Sequence, residues 1–131
     1  MSEENVETLR RANAALNAHD IDAWLSFSDP EVEYVDHSEM AESTSGLEAL
    51  RRLVEGWLEV LPGLRMDVEE YVDAGDRVVV RELWTATGAS SGLDYRQLFF
   101  SIYTLRAGKV VRAESGFPDW ASALAAARVT E

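Results

Sequence analysis

LRMDVEEYVDAGDRVVVRELWTAT, residues 64–87, is the stretch that decides the architecture. Apolar and polar residues alternate on both sides of Ala74-Gly-Asp76, the signature of two strands joined by a tight turn. Leu64 to Val72 forms the first strand and Arg77 to Thr87 the second. Because side chains alternate between faces, Val78, Val80, Glu82 and Trp84 share one side of the sheet. The period of two continues downstream. Gly88 to Gly92 is a loop, Tyr95 to Leu105 a third long strand, and Ala107-Gly108 turns it into a fourth, Lys109 to Phe117. Four successive strands with short connections make an antiparallel meander.

Upstream the period changes to that of a helix. Leu47, Leu50, Leu53, Val54, Trp57, Leu58 and Leu61 recur on one face, and Pro62-Gly63 stops the run. Ser45-Gly-Leu-Glu48 has the spacing of a capping box at its start. Val6, Leu9, Ala12 and Leu16 mark an earlier helix, with Glu3 and Glu4 at its positive end. Asp20 caps a short second helix carrying Ile21, Trp24 and Phe27, which Asp29-Pro30 ends. Glu31 to Asp36 alternates as a strand, and His37 to Thr44 reads as a polar loop. Pro118-Asp119 opens a C-terminal helix with Trp120 and Leu124. Helices early and hairpins late give the α+β class, with residues 1–131 as one domain. The long helix can cover one face of the sheet and leave a pocket beneath it.

Composition narrows the function. The chain has 131 residues, with 24 acidic residues against 12 basic ones, for a formal charge of −12. Such a surface repels phosphate backbones and anionic lipid, so neither nucleic acid nor membrane is an expected partner. There are no cysteines, which excludes disulfides, thiolate nucleophiles and cysteine-ligated metal. The acidic N-terminus lacks the apolar core of a secretory signal, and no apolar run is long enough to span a bilayer. A soluble, cytoplasmic protein is the expectation. No phosphate loop, dinucleotide glycine motif or Gly-x-Ser-x-Gly elbow occurs, so no cofactor is expected. Asp36, His37, Glu39 and Glu42 offer ligand atoms, but no second ligand motif accompanies them, and no metal site is expected.

The ordered series His19-Asp-Ile-Asp-Ala-Trp24, Glu33-Tyr-Val-Asp-His37, Ser45-Gly-Leu-Glu-Ala-Leu50, Gly75-Asp-Arg-Val-Val-Val80 and Leu105-Arg-Ala-Gly-Lys-Val-Val-Arg112 resembles the nuclear-transport-factor-2-like superfamily, particularly its SnoaL-like branch. The resemblance runs from Val6 to about Leu124. It implies a cone-shaped, curved antiparallel sheet wrapped over the N-terminal helices, with an internal pocket. It also implies a homodimer through the outer sheet face. The superfamily hosts isomerases, cyclases, hydrolases, dehydratases and non-catalytic binders, so fold alone does not select a reaction.

The same resemblance places Asp36 where steroid isomerases of the superfamily carry their general base. A carboxylate in an apolar pocket is desolvated, which raises its pKa toward a useful range; the alternative is a strand-closing Asp bonded to the amides of the His37–Met40 loop. The isomerases' oxyanion donors would fall at Ala12 and Ser101, neither of which is a strong donor. The acid–arginine–acid set of limonene epoxide hydrolases would fall at Glu82, Trp84 and Ser115. Glu82 either faces inward as a second acid/base group with Asp36, or pairs with Arg96 on the next strand, or lies on the outward face if the strand's faces are reversed. His37 either reaches over the pocket mouth or lies in solvent. Tyr34, Trp57, Trp84, Phe99, Tyr103, Phe117 and Trp120 are candidate walls for a flat ligand, and Gln97, Ser101 and Ser115 candidate neutral hydrogen-bonding groups. Two functions follow. One is a cofactor-independent enzyme acting on an apolar, oxygenated small molecule; the other is a non-catalytic binding or dimeric accessory protein of the same fold.

Overall fold

The computed structural model describes residues 2–38, 43–87 and 94–128. Helices α1 (Ser2–Asn17) and α2 (Ile21–Leu25) precede strand β1 (Ser28–Asp36) and the short β2 (Ser43–Ser45). Helix α3 (Leu47–Val60) leads into β3 (Arg65–Ala74), β4 (Arg77–Thr87), β5 (Asp94–Arg106) and β6 (Lys109–Ser115), and α4 (Trp120–Ala126) follows. The six strands form one sheet in the order β2-β1-β6-β5-β4-β3. The meander is antiparallel as its hairpins require, but β1 lies parallel to β6, pairing Tyr34 with Ala113 and Asp36 with Ser115. That pairing brings the end of the first strand beside the end of the last.

Several local expectations are corrected. Asp29-Pro30 does not end α2; both residues lie inside β1, and α2 stops at Leu25, leaving Phe27 outside it. A strand tolerates Pro where its missing N–H is not needed by the ladder. The capping box does not form, because Ser45 is held in β2 opposite Glu33. Gly46, at φ +90°, is the N-cap instead and makes no side-chain cap bond. The segment expected as loop therefore contributes a strand at Ser43–Ser45, while residues 39–42, including Glu39 and Glu42, fall outside the described residues. The Gly88–Gly92 loop also falls outside them.

The α1–α3 layer covers one face of the sheet. Leu9, Leu25, Val32, Leu50, Val78, Val80 and Val110 form the main core there. Full burial of each such side chain contributes on the order of 2 kcal/mol. On the opposite face α4 lays Ala123 and Ala127 against Val79 and Ile102, with Trp120 beside Phe100. Part of the outer sheet face is thus covered by the chain's own helix. Among the described residues, no helix is long and apolar enough to cross a membrane.

Helix α1 is tied to β3 by a side chain acting as a strand. Asn17 Nδ2 donates to the Met66 carbonyl at 2.8 Å, and its Oδ1 accepts the Met66 N–H at 2.7 Å. Asn17→Ala would leave both backbone groups of a buried residue unpaired. A loss of about 2 kcal/mol in urea denaturation is expected; a loss below about half a kcal/mol would show that water replaces the amide.

A bulge in β3 shapes the cavity wall. Val68 pairs with Glu82 but Glu70 pairs with Arg81, so Glu69 is the extra residue. The insertion reverses the alternation, and Tyr71 turns to the same side as Met66 and Val68. Outside, it aligns Glu69 and Glu70 on Arg81 at 3.4 and 3.0 Å.

Candidate active site

The helix layer and the inner sheet face enclose two chambers. The inner one, about 50 Å³, is walled by Leu9, Asn13 and Leu16 of α1, by Trp24, and by Val68, Tyr71, Val80 and Tyr103 of the sheet. The outer one, about 320 Å³, is walled by Asp36, Ser38, Thr44, Tyr95, Phe99, Ser115 and Gly116. Tyr34, Trp57, Glu82 and Trp84 line both, so the chambers meet at these four side chains. The aromatic rings run edge to face across the junction. Trp57 is 5.9 Å from Tyr34 and 4.9 Å from Trp84, and Trp84 is 5.2 Å from Phe99.

Glu82 stands at this junction with 2% of its surface exposed, the one buried carboxyl among the described residues. The inward parity of β4 puts it there, between Val80 and Trp84. From β5, Ser101 Oγ donates to Oε1 at 3.0 Å and Tyr103 Oη donates to Oε2 at 2.5 Å. Burial pushes the Glu82 carboxyl up from 4.5 to about 7, against the downward pull of those two hydroxyls. The Trp84 indole adds a weaker pull in the same direction, while its buried Nε1 finds no well-formed partner. The anionic form is opposed by desolvation and favoured by donors, and the balance leaves a group that exchanges its proton near neutrality.

The phenols around it stay protonated. Burial pushes Tyr34 up to about 12, opposed by its contact with Ser115, whose Oγ lies 3.3 Å from the Tyr34 oxygen. Burial and the neighbouring Glu82 push Tyr103 well above the ordinary phenol value.

The pattern of the SnoaL-like domain family matches residues 9–113. The chain belongs to the SnoaL-like family. TerC, crystallised with polyporic acid, is 28% identical over 87% of this chain and 91% of that one, with a TM-score of 0.77. A candidate SnoaL-like polyketide cyclase from Jannaschia sp. CCS1 is 24% identical over 99% of this chain and 95% of that one, with a TM-score of 0.78. AclR, a candidate hydroxylase from Streptomyces galilaeus, is 20% identical over 100% of this chain and 89% of that one, with a TM-score of 0.79. Among curated proteins, none matches. The observed architecture is the one these three structures share.

In this SnoaL-like chain the predicted site residues divide. Tyr34, Asp36, Trp57, Glu82, Trp84, Phe99 and Ser115 line the cavity. Ser101 acts on it through Glu82. Others lie elsewhere. Gln97 shares the inward parity but sits exposed near the open end of β5, its Nε2 near the Leu98 carbonyl. Phe117 lies beyond β6, where it stacks on His37 at 4.8 Å and joins the outer cluster. His37 is exposed and bonds Glu114 at 2.9 Å, away from the chambers. The pairing of Glu82 with Arg96 does not occur, since β4–β5 register sets Glu82 against Phe99 and Arg96 against Thr85. Asp36 is partly buried, and its Oδ1 accepts the Ser38 N–H at 2.8 Å, closing the strand as the alternative reading anticipated.

Trp120 lies on the other face of the sheet, beside Phe100. Tyr103 does line the inner chamber, but its role as a donor to Glu82 was not anticipated, although it shares parity with Ser101 and the alternation could have singled it out. Tyr71 was not in the predicted set. Tyr71 could not be found that way, because the bulge at Glu69 flips its side.

Proposed function

We propose that this SnoaL-like chain is a cofactor-independent acid/base enzyme acting on a small, largely apolar, oxygenated molecule, with Glu82 as the proton-transferring group. One observation carries the reading: a buried carboxyl, held by Ser101 and Tyr103 and poised near pH 7, on the wall shared by two chambers, beside the rings of Tyr34, Trp57 and Trp84. Structural carboxyls that only pair charges have no need of a cavity; this one lines both. The co-crystallisation of TerC with polyporic acid supports a ligand-holding role for this chain. Asp36 faces the outer chamber as a second carboxyl. In this reading it receives or returns the proton that Glu82 moves, across a substrate lying between them. Isomerisation, cyclisation, dehydration and epoxide opening all involve proton transfer to or from the reacting molecule by a placed group.

The test uses proton exchange, the step common to these reactions. In D₂O, NMR would follow loss of the α-protons of 2-tetralone and related cyclic ketones. The protein is expected to accelerate exchange, and Glu82→Gln to lose about 10²- to 10⁴-fold, with a smaller loss for Asp36→Asn. Equal rates for Glu82→Gln and the parent would remove Glu82 from the role. No acceleration by the parent on any ketone that demonstrably binds would favour the non-catalytic binder.

A further inference from the structure

Among the described residues lining the two chambers there is no lysine, arginine or histidine, yet two carboxyls, Glu82 and Asp36, are there. Among the described residues, Glu82 is hydrogen-bonded by the Ser101 and Tyr103 hydroxyls and by no cation. A buried carboxylate ordinarily has a positive partner. What surrounds this one is aromatic: Tyr34, Trp57, Tyr71, Trp84 and Tyr103. Ring faces attract cations electrostatically, and boxes of such rings select alkylated ammonium groups. One of these rings already does so. The Arg10 guanidinium, which also pairs with Glu7 at 3.8 Å, lies 5.2 Å over the Tyr71 ring from the helix side. The whole chain, at −12, draws cations toward it.

We propose that the cavity around Glu82 binds an organic cation, an alkylated ammonium group whose methyls contact the aromatic walls and whose charge pairs with the Glu82 carboxylate. The proposal goes beyond the acid/base reading and stands without it. Ser101 and Tyr103 from β5 contact Glu82 directly, and the other titratable groups among the described residues lining the chambers are Tyr34 and Asp36 from β1, Tyr71 from β3 and Tyr95 from β5. The buried tyrosines Tyr34 and Tyr103 remain neutral through the working pH range, so the charge that pairs with the cation is that of Glu82. A bound cation holds Glu82 ionised, and its uptake below neutrality must release that carboxyl's proton to solvent.

Choline and 3,3-dimethylbutan-1-ol test this directly, because they share shape and differ in charge. Calorimetry at pH 8 should show choline binding at least about tenfold more tightly than the alcohol. Choline affinity should fall about tenfold per unit as pH drops from about 7 to 5, while the alcohol's stays flat. At pH 6, the choline heat should vary with buffer ionisation enthalpy in the sense of proton release. Glu82→Gln should bind both molecules alike, and Asp36→Asn should keep the preference for choline. Equal or tighter binding of the alcohol at pH 8 overturns the proposal, as does binding of neither molecule. So does a preference that survives Glu82→Gln or disappears in Asp36→Asn. Should Glu82→Gln fail to fold, the pH profile and proton release of the parent decide alone. A negative result here leaves ketone exchange unaffected, and loss of exchange leaves this binding unaffected.

Discussion

Glu82→Gln is expected to stabilise the protein at pH 8 by as much as about 3 kcal/mol while abolishing the proton transfer assigned to that residue. In the native state the carboxyl ionises at about 7, against an ordinary value of 4.5. Between those values the folded chain holds a proton that the unfolded chain has released. Stability therefore falls as pH rises from about 4.5 to about 7, and above that the full cost of burying the charge remains. Gln has the same shape and no charge. It can accept one hydroxyl hydrogen bond through Oε1, so Ser101 and Tyr103 keep part of their network. Urea denaturation of parent and variant should give nearly equal stabilities at pH 5 and a gap that opens up to pH 7, with m values unchanged. The same difference at pH 5 and pH 8 would mean that Glu82 does not carry a buried charge. A substitution that stabilises the fold and removes the activity marks a residue kept for function.

Gly116→Ala is expected to cost about 2–4 kcal/mol, and Gly116→Val more. Gly116 sits at φ +85°, where an L side chain is strained by about 1 kcal/mol or more. A Cβ there would stand 2.5 Å from the Ser38 amide nitrogen and 2.9 Å from that of His37, and closer still to Asp36 Oδ1. Two of these three obstacles are backbone, which cannot swing away. The parallel pairing of β1 with β6 is what presses residue 116 against the turn that closes β1. Relief has to come from moving that turn, and Asp36 moves with it. A melting temperature lowered by several degrees is the expected reading. The Asp36 carboxyl resonance should shift in carbon-detected NMR, while that of Glu82, held from β5, should not. A stable Gly116→Ala protein with unmoved Asp36 would show that the turn is loose.

These two residues differ in how they could be found. Alternation put Glu82 on one face with Val78, Val80 and Trp84, but which face turns inward was decided only by the packed structure, where Glu82 is buried. Whether it was paired or free depended on register, and a pairing with Arg96 was a reasonable expectation that the register excludes. Gly116 gave no signal, since its need for a positive φ arises only where two distant strand ends meet. His37 and Phe117 were drawn toward the pocket by their nearness in sequence to Asp36 and Ser115. In space they stack on each other, away from both chambers.

Local periodicity, turn residues and composition determined the elements, the α+β class and the order of the meander. They act over a few residues and depend on side chains whose preferences do not need the rest of the chain. The parallel β1–β6 seam, the reversal of Tyr71 by the Glu69 bulge and the strand at Ser43–Ser45 were decided only by the tertiary structure. So was the site's protonation near neutrality, because desolvation is a property of everything packed around a group and not of the group's neighbours in sequence.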